Sequence, residues 1–256
     1  MDKRRILILG GTTEARELAR RLAPRDDFDV TLSLAGRTID PAPQPVPVRT
    51  GGFGGAAGLA DYLAANGIDL LIDATHPFAR QISVNAEQAA DRAGTPRIRL
   101  ERTGWQAVDG DRWTRVATLA DAVGALGAEP RRVFLAIGRQ EAFHFNAAPQ
   151  HYYIVRSVDP VEPPLTAPSV DYILARGPFA VEEETALLRD HRIEVVVSKN
   201  SGGEATYAKI AAARALSIPV ILVDRGRQGG VTTAETVEEA LRLIDHVASA
   251  GRKRGV

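Results

Sequence analysis

The chain predicts an α/β protein of two Rossmann-like, doubly wound parallel-sheet domains, produced by an internal duplication and facing a shared cleft. Three observations point there. Short, continuously apolar strands alternate with helical patterns along the chain, as in parallel sheets covered on both faces. Two stretches 127 residues apart, "RRILILGGTTEA" (4–15) and "RRVFLAIGRQEA" (131–142), share their arginines, apolar run, glycine and Glu-Ala ending. The likeness then continues collinearly: "GIDLLIDATHP" (67–77) with "RIEVVVSKNSG" (192–202), "GTPRIRLER" (94–102) with "SIPVILVDR" (217–225), and "TLADAV" (118–123) with "TVEEAL" (236–241). A length of 256 residues suits two domains of about 125 residues each. The expected division is residues 1–129, a dinucleotide-binding domain, and 130–256, a substrate-binding domain.

In the first half, Arg5–Leu9 reads as a short apolar strand. Ala15, Leu18, Ala19 and Leu22 follow at i, i+3, i+4, i+7 spacing and predict a helix over 13–23. A strand at 30–34, a helix at 55–66, a strand at 69–73, a helix at 78–93 and a strand at 97–100 complete the set. The second half gives strands near 132–137, 152–155, 172–175, 194–198 and 220–223, with helices near 181–189 and 204–216. The proline-interrupted segment "VDPVEPPLTAPSV" (158–170) reads as a loop. Ligands of open α/β sheets bind at the carboxyl ends of the strands, so the turns after the strands are where chemistry is expected.

Composition narrows the function classes. Lysine plus arginine and aspartate plus glutamate each number 32, so no whole-molecule field draws nucleic acid or an anionic membrane. No cysteine is present, which excludes disulfides, thiolate metal sites and cysteine nucleophiles. His144, His151, His191 and His246 form no metal-ligand spacing, and no metal is expected. The apolar run after the basic start is only Ile6–Leu9, too short for a signal-peptide core, and no stretch approaches a membrane span. The expectation is a cytoplasmic protein acting on a small molecule, monomer favoured.

Gly10-Gly11-Thr12-Thr13-Glu14-Ala15 joins the first strand to the first helix. Gly10, Thr12 and Ala15 fill the three places of a dinucleotide fingerprint, with threonine where its second glycine usually stands. The helix start supplies N–H groups for phosphate, and Thr12 and Thr13 add hydroxyls or cap the helix. An ordinary glycine turn reads the same way at this point. An NAD enzyme places an acid at the end of the second strand to bind the ribose 2′-hydroxyl. Here "SLAGRT" (33–38) has none; Ser33, Gly36, Arg37 and Thr38 stand there instead. A guanidinium with neighbouring hydroxyls receives a 2′-phosphate that a carboxylate would repel, which favours NADPH. "RTGGFGG" (49–55) is a further glycine-rich turn, serving either ligand approach or tight packing.

"DATHPFA" (73–79) and "SKNSGG" (198–203) occupy equivalent strand ends of the two halves. Thr75 and His76 are thereby placed beside the cofactor, where His76 either donates a proton or orients the nicotinamide. Lys199, Asn200 and Ser201, followed by Gly202 and Gly203, offer donors and a backbone anion nest. Arg139, standing where the first copy has Thr12, points to a second anion site. His76 and Lys199 are the candidate catalytic residues. No tyrosine has lysine four residues on, which argues against a short-chain dehydrogenase.

Together "LILGGTTEARELA", "RTGGFGG", "DATHPFA", "LAIGRQE" and "SKNSGG" resemble the precorrin-6A reductase family of cobalamin biosynthesis, over roughly residues 4–225. The resemblance implies NADPH-dependent reduction of one ring double bond of precorrin-6A to give precorrin-6B. It also leaves a related activity open, reduction of the cobalt-bearing substrate with NADH; a non-catalytic two-lobed dinucleotide-binding protein is the alternative of another class. The implied substrate bears many carboxylates, for which Arg80, Arg139, Arg176 and Lys199 are candidate partners.

Overall fold

The computed structural model describes residues 3–36, 42–226 and 232–252. Arg37 and Thr38 lie outside the described residues. The chain forms two compact units, one from residues 1–103 with 228–256 and the other from 104–227.

The first unit carries β1 (Arg4–Leu9), α1 (Thr13–Leu22), β2 (Phe28–Leu34), β3 (Val48–Thr50), α2 (Gly55–Ala65), β4 (Leu70–Asp73), α3 (Arg80–Ala93) and β5 (Arg97–Leu100). The second carries β6 (Trp113–Val116), α4 (Leu119–Ala125), β7 (Arg132–Ala136), β8 (Tyr152–Ser157), β9 (Val170–Leu174), α5 (Val181–Asp190), β10 (Val195–Lys199), α6 (Ala208–Ala215) and β11 (Val220–Val223). The last elements, β12 (Thr233–Ala234) and α7 (Val237–Arg252), return to the first unit.

Among the described residues every strand pairing is parallel. The sheets run β3-β2-β1-β4-β5-β12 and β9-β8-β7-β10-β11-β6. Each is thus the 3-2-1-4-5-6 order of a dinucleotide-binding fold, with its switch point between the first and fourth strands.

The sixth strands correct the expected division at 129/130. β6 follows β5 in the chain yet pairs with β11, Trp113 opposite Val220. β12 follows β11 yet pairs with β5, Thr233 opposite Arg99. Each copy therefore sends its closing strand and helix to the other sheet. The matched segments "TLADAV" and "TVEEAL" open α4 and α7, so the repeat is real while the units exchange its last piece. Both closing segments carry a similar pattern, and pattern does not say which parallel edge a strand will join.

Both faces of the first sheet are covered. Ile6 and Ile8 of β1 pack with Leu18 and Leu22 of α1 and Ile244 of α7. Leu7 and Leu9, on the opposite face by the period of two, pack with Leu59 and Leu63 of α2 and Ala86 and Ala89 of α3. The second sheet buries Phe134, Ile154, Val196 and Leu222 against Leu188 of α5 and Ile210 of α6. The expected helix over 204–216 is divided: a 3₁₀ turn at Glu204–Thr206 precedes α6. β3, β6 and β12 are of two to four residues, too short for an alternation to declare them. Among the described residues no helix is long and apolar enough to cross a membrane.

Candidate functional site

In the first unit the turn after β1 sits at the switch point. Gly10 donates its N–H to the Ser33 carbonyl at 2.9 Å. A Cβ on Gly10 would come within 2.6 Å of Leu32 Cδ1 and 3.5 Å of Ala15 Cβ, so glycine lets α1 close on the sheet. Gly11 adopts φ +116° with open space where a Cβ would stand, which lets the backbone expose its N–H groups to a ligand.

Thr12 caps α1: its Oγ1 accepts from Ala15 N–H at 3.1 Å and donates to the Ala74 carbonyl at 2.9 Å. The hydroxyl proton is therefore engaged within the protein, and the backbone of the helix start is left to meet phosphate. Thr13 is exposed at the first helical position, and Ala15 is fully buried behind it. Glu14 would repel an anion at this helix end, but Arg102 pairs with its carboxylate. Thr12→Val should cost about 1–2 kcal/mol of stability through loss of the cap, read as a lower denaturation midpoint.

Ser33 is buried at the end of β2, and Gly36 follows with φ +72°. Arg49 of β3 stands opposite Ser33 in register, with Nη1 3.4 Å from Ser33 Oγ. Its guanidinium donates to the carbonyls of Gly51 at 2.5 Å and Gly52 at 2.7 Å and lies 3.7 Å over the Phe53 ring.

At the end of β4, Asp73 is buried and organises the next turn. Its Oδ1 accepts from Thr75 Oγ1 at 2.7 Å and Thr75 N–H at 3.2 Å, and its Oδ2 accepts from Arg99 at 2.9 Å. Arg99 also donates to Glu101 at 2.5 Å. Thr75 thus holds the turn through its hydroxyl proton and leaves only acceptor capacity to a ligand. His76, half-buried, accepts at Nδ1 from Phe78 N–H at 3.3 Å, so the neutral ring carries its proton on Nε2. Arg80 is exposed at the first position of α3.

The second unit repeats the frame with different chemistry. Ile137, Gly138 (φ +98°) and Arg139 follow β7, but the chain then makes only a 3₁₀ turn over Ala142–Ala147. Lys199 ends β10 and pairs with Glu141, the residue just before that turn, which unites the β7 and β10 ends. Asn200 turns inward. It is buried, its Oδ1 accepting from Trp105 N–H at 2.7 Å and its Nδ2 donating to the Trp105 carbonyl at 3.2 Å. The amide is a clamp on the chain, because both its ends are satisfied inside. Ser201 is buried, its N–H donating to the Lys199 carbonyl at 2.8 Å. Gly202 has φ +72°, and Gly203 is buried. Arg139 is half-buried after β7, and Arg176 is exposed after β9.

Arg49, the Asp73–Arg99–Glu101 network and Glu141 were not singled out by sequence. The signal for two of them was present, since Arg49 opens "RTGGFGG" and Asp73 opens "DATHPFA".

The profile of the family described as "Precorrin-6x reductase CbiJ/CobK" matches residues 5–245. A precorrin-6A reductase of a Sinorhizobium species is 61% identical over 246 residues, covering 96% of this chain and 94% of that protein. One from Rhodobacter capsulatus is 51% identical over 246 residues, covering 96% and 98%. A solved structure of the precorrin-6A reductase CobK matches with a TM-score of 0.91 at 50% identity, over 95% of this chain and 97% of that one.

Proposed function

The chain belongs to the precorrin-6x reductase family, and on that premise we propose that it reduces one ring double bond of precorrin-6A with NADPH, giving precorrin-6B in cobalamin biosynthesis. The observation that carries the cofactor assignment is the turn after β1. Gly11, at positive φ, and a threonine-capped, ten-residue helix stand at the switch point of a 3-2-1-4-5-6 sheet. No carboxylate follows at the end of β2, where an NAD enzyme needs one. The corresponding turn of the second unit leads into a 3₁₀ segment and lacks such a helix start.

When bound, NADPH supplies the hydride, while the protein supplies placement and a proton. In this reading Gly10, Gly11, Thr12, Thr13 and Ala15 form the pyrophosphate cradle, and Ser33, Gly36, Arg37 and Thr38 receive the phosphorylated ribose. Thr75 and His76 border the nicotinamide, with His76 Nε2–H as the candidate proton donor. Arg139, Arg176, Lys199 and the Ser201–Gly203 turn serve substrate carboxylates; Lys199 is the second candidate acid.

The test is turnover of metal-free precorrin-6A, followed by the loss of reduced-nicotinamide absorbance. NADPH should be oxidised in step with substrate, with NADH far slower. Preference for NADH together with the cobalt-bearing substrate would move the chain to the cobalt branch. Arg37→Ala should weaken NADPH binding roughly ten- to a hundredfold, the worth of a charge-assisted contact, and leave NADH nearly unchanged.

The Lys199–Glu141 pair sharpens the substrate assignment. Lys199→Ala leaves the Glu141 carboxylate facing incoming carboxylates without its partner, so KM for precorrin-6A should rise about tenfold. Adding Glu141→Gln should recover part of the loss. NADPH affinity, read by titration, should hold steady in both variants; its collapse would reverse the assignment of the two units.

A further inference from the structure

We propose that Arg49 is a cofactor-selecting residue, holding the ribose 2′-phosphate from β3. The inference rests on the NADPH reading and deepens it. In a sheet of this order the ribose 2′ position is read at the carboxyl end of the second strand. Ser33 is the penultimate residue of β2, and Arg49 stands directly opposite it on β3. Arg49 Nη1 already lies 3.4 Å from Ser33 Oγ. A cation and a hydroxyl therefore stand side by side at the place where the fold reads that group.

The guanidinium is also held in advance. The Gly51 and Gly52 carbonyls accept from its two Nη atoms, and the Phe53 ring supports it from one face at 3.7 Å. A guanidinium carries five N–H groups, so two carbonyls and one hydroxyl leave donors over. Each carbonyl is an acceptor from a glycine-rich turn, and neither cancels the charge as a carboxylate would. Among the described residues no ion pair to Arg49 is present. A side chain fixed before binding loses less rotamer entropy when it meets a dianion. A phosphate monoester carries close to two negative charges at neutral pH, so a fixed guanidinium with donors to spare suits it. The glycines of 51–55 acquire a purpose in the same scheme: Gly51, at φ +113°, turns its carbonyl back to the arginine that precedes it.

The experiment compares adenosine 2′,5′-bisphosphate with adenosine 5′-phosphate, which differ only in the 2′-phosphate, by calorimetric titration of the full chain. The wild type should bind the bisphosphate more tightly. Arg49→Gln should weaken the bisphosphate roughly ten- to a hundredfold and leave the monophosphate unchanged, bringing the two together. Arg49→Lys, which keeps the charge but cannot span two carbonyls, should fall between. Thermal melts of each variant report whether the 49–55 turn survives. Equal loss of both nucleotides in a folded Arg49→Gln protein overturns the inference, since the residue would then only shape the turn. An unchanged preference for the bisphosphate in that variant overturns it as well. If the wild type does not distinguish the two nucleotides, the NADPH reading itself fails and takes this inference with it.

Discussion

Gly58→Ala is expected to destabilise the first unit by about 3 kcal/mol, at the upper end of overpacking costs. Helix propensity alone points the other way, because alanine in a helix interior is normally better than glycine by up to about 1 kcal/mol. Gly58 lies within α2, where a Cβ would come 1.8 Å from the Phe53 carbonyl oxygen and 3.0 Å from its carbon. That neighbour is backbone and cannot rotate aside. The turn at 51–55 must move, taking with it the ring on which the Arg49 guanidinium rests. The variant should therefore show a lower denaturation midpoint and, on the proposed NADPH reading, weaker binding of that cofactor where folded. An alanine variant as stable as the wild type would mean that the turn is not held against α2.

The second large effect is expected in the interior of the other unit. Arg156 of β8 and Glu184 of α5 form a buried two-pronged ion pair, with Arg156 Nη2 donating at 2.8 Å and Phe179 lying 3.7 Å under the guanidinium. Lys209 of α6 is buried nearby, its Nζ donating to the Thr206 carbonyl at 2.6 Å and lying 4.9 Å over the Trp105 ring. Glu184→Gln removes the carboxylate of this cluster and leaves the arginine charged in the interior. Breaking one partner of a buried pair costs about 3–5 kcal/mol. The melting midpoint should fall by roughly 6–20 °C, at about 2–4 °C per kcal/mol for a chain of this size. Replacing both partners, Arg156→Met with Glu184→Leu, should cost less than the single change. If the single variant melts with the wild type, the pair contributes nothing.

The same cluster sets a pH dependence. Burial, and then the nearby Arg156 charge, push the Lys209 ammonium down to about 7, while Glu184 opposes the shift. The unfolded chain keeps this lysine protonated up to about pH 10. Folding between these limits releases a proton, so the unfolded state binds more protons and stability rises with pH. The slope reaches at most about 1.4 kcal/mol per pH unit between pH 7 and 10, and vanishes below pH 7. Lys209→Met should flatten the dependence across that window, as read from denaturant midpoints at each pH.

Much of the site was legible in the residues. A strand end followed by Gly-Gly-Thr and an amphipathic run leaves few local structures open, and the structure has that strand, turn and helix at 4–9, 10–12 and 13–22. At Asn200 a polar residue beside two glycines reads as a donor to a ligand, and the structure shows where its amide goes instead. Only the approach of Trp105, 95 residues away, consumes its amide. Arg49 escaped for the opposite reason. β3 is three residues long, and its register against Ser33 comes from sheet pairing.

The alternation of strands and helices, the duplication and the resemblance of the turns are local or repeated patterns, and local patterns are written into backbone preference and apolar period. Which sheet receives β6 and which receives β12 is not local. Either segment presents a short parallel edge strand with a helix behind it, and hydrogen bonding along β5 or β11 satisfies either one. The choice is made by packing at long range: Ala234, Val237, Ala240 and Ile244 bury themselves in the core of α1 and β1. Those contacts join residues more than 200 positions apart in the chain, and no window of sequence contains them.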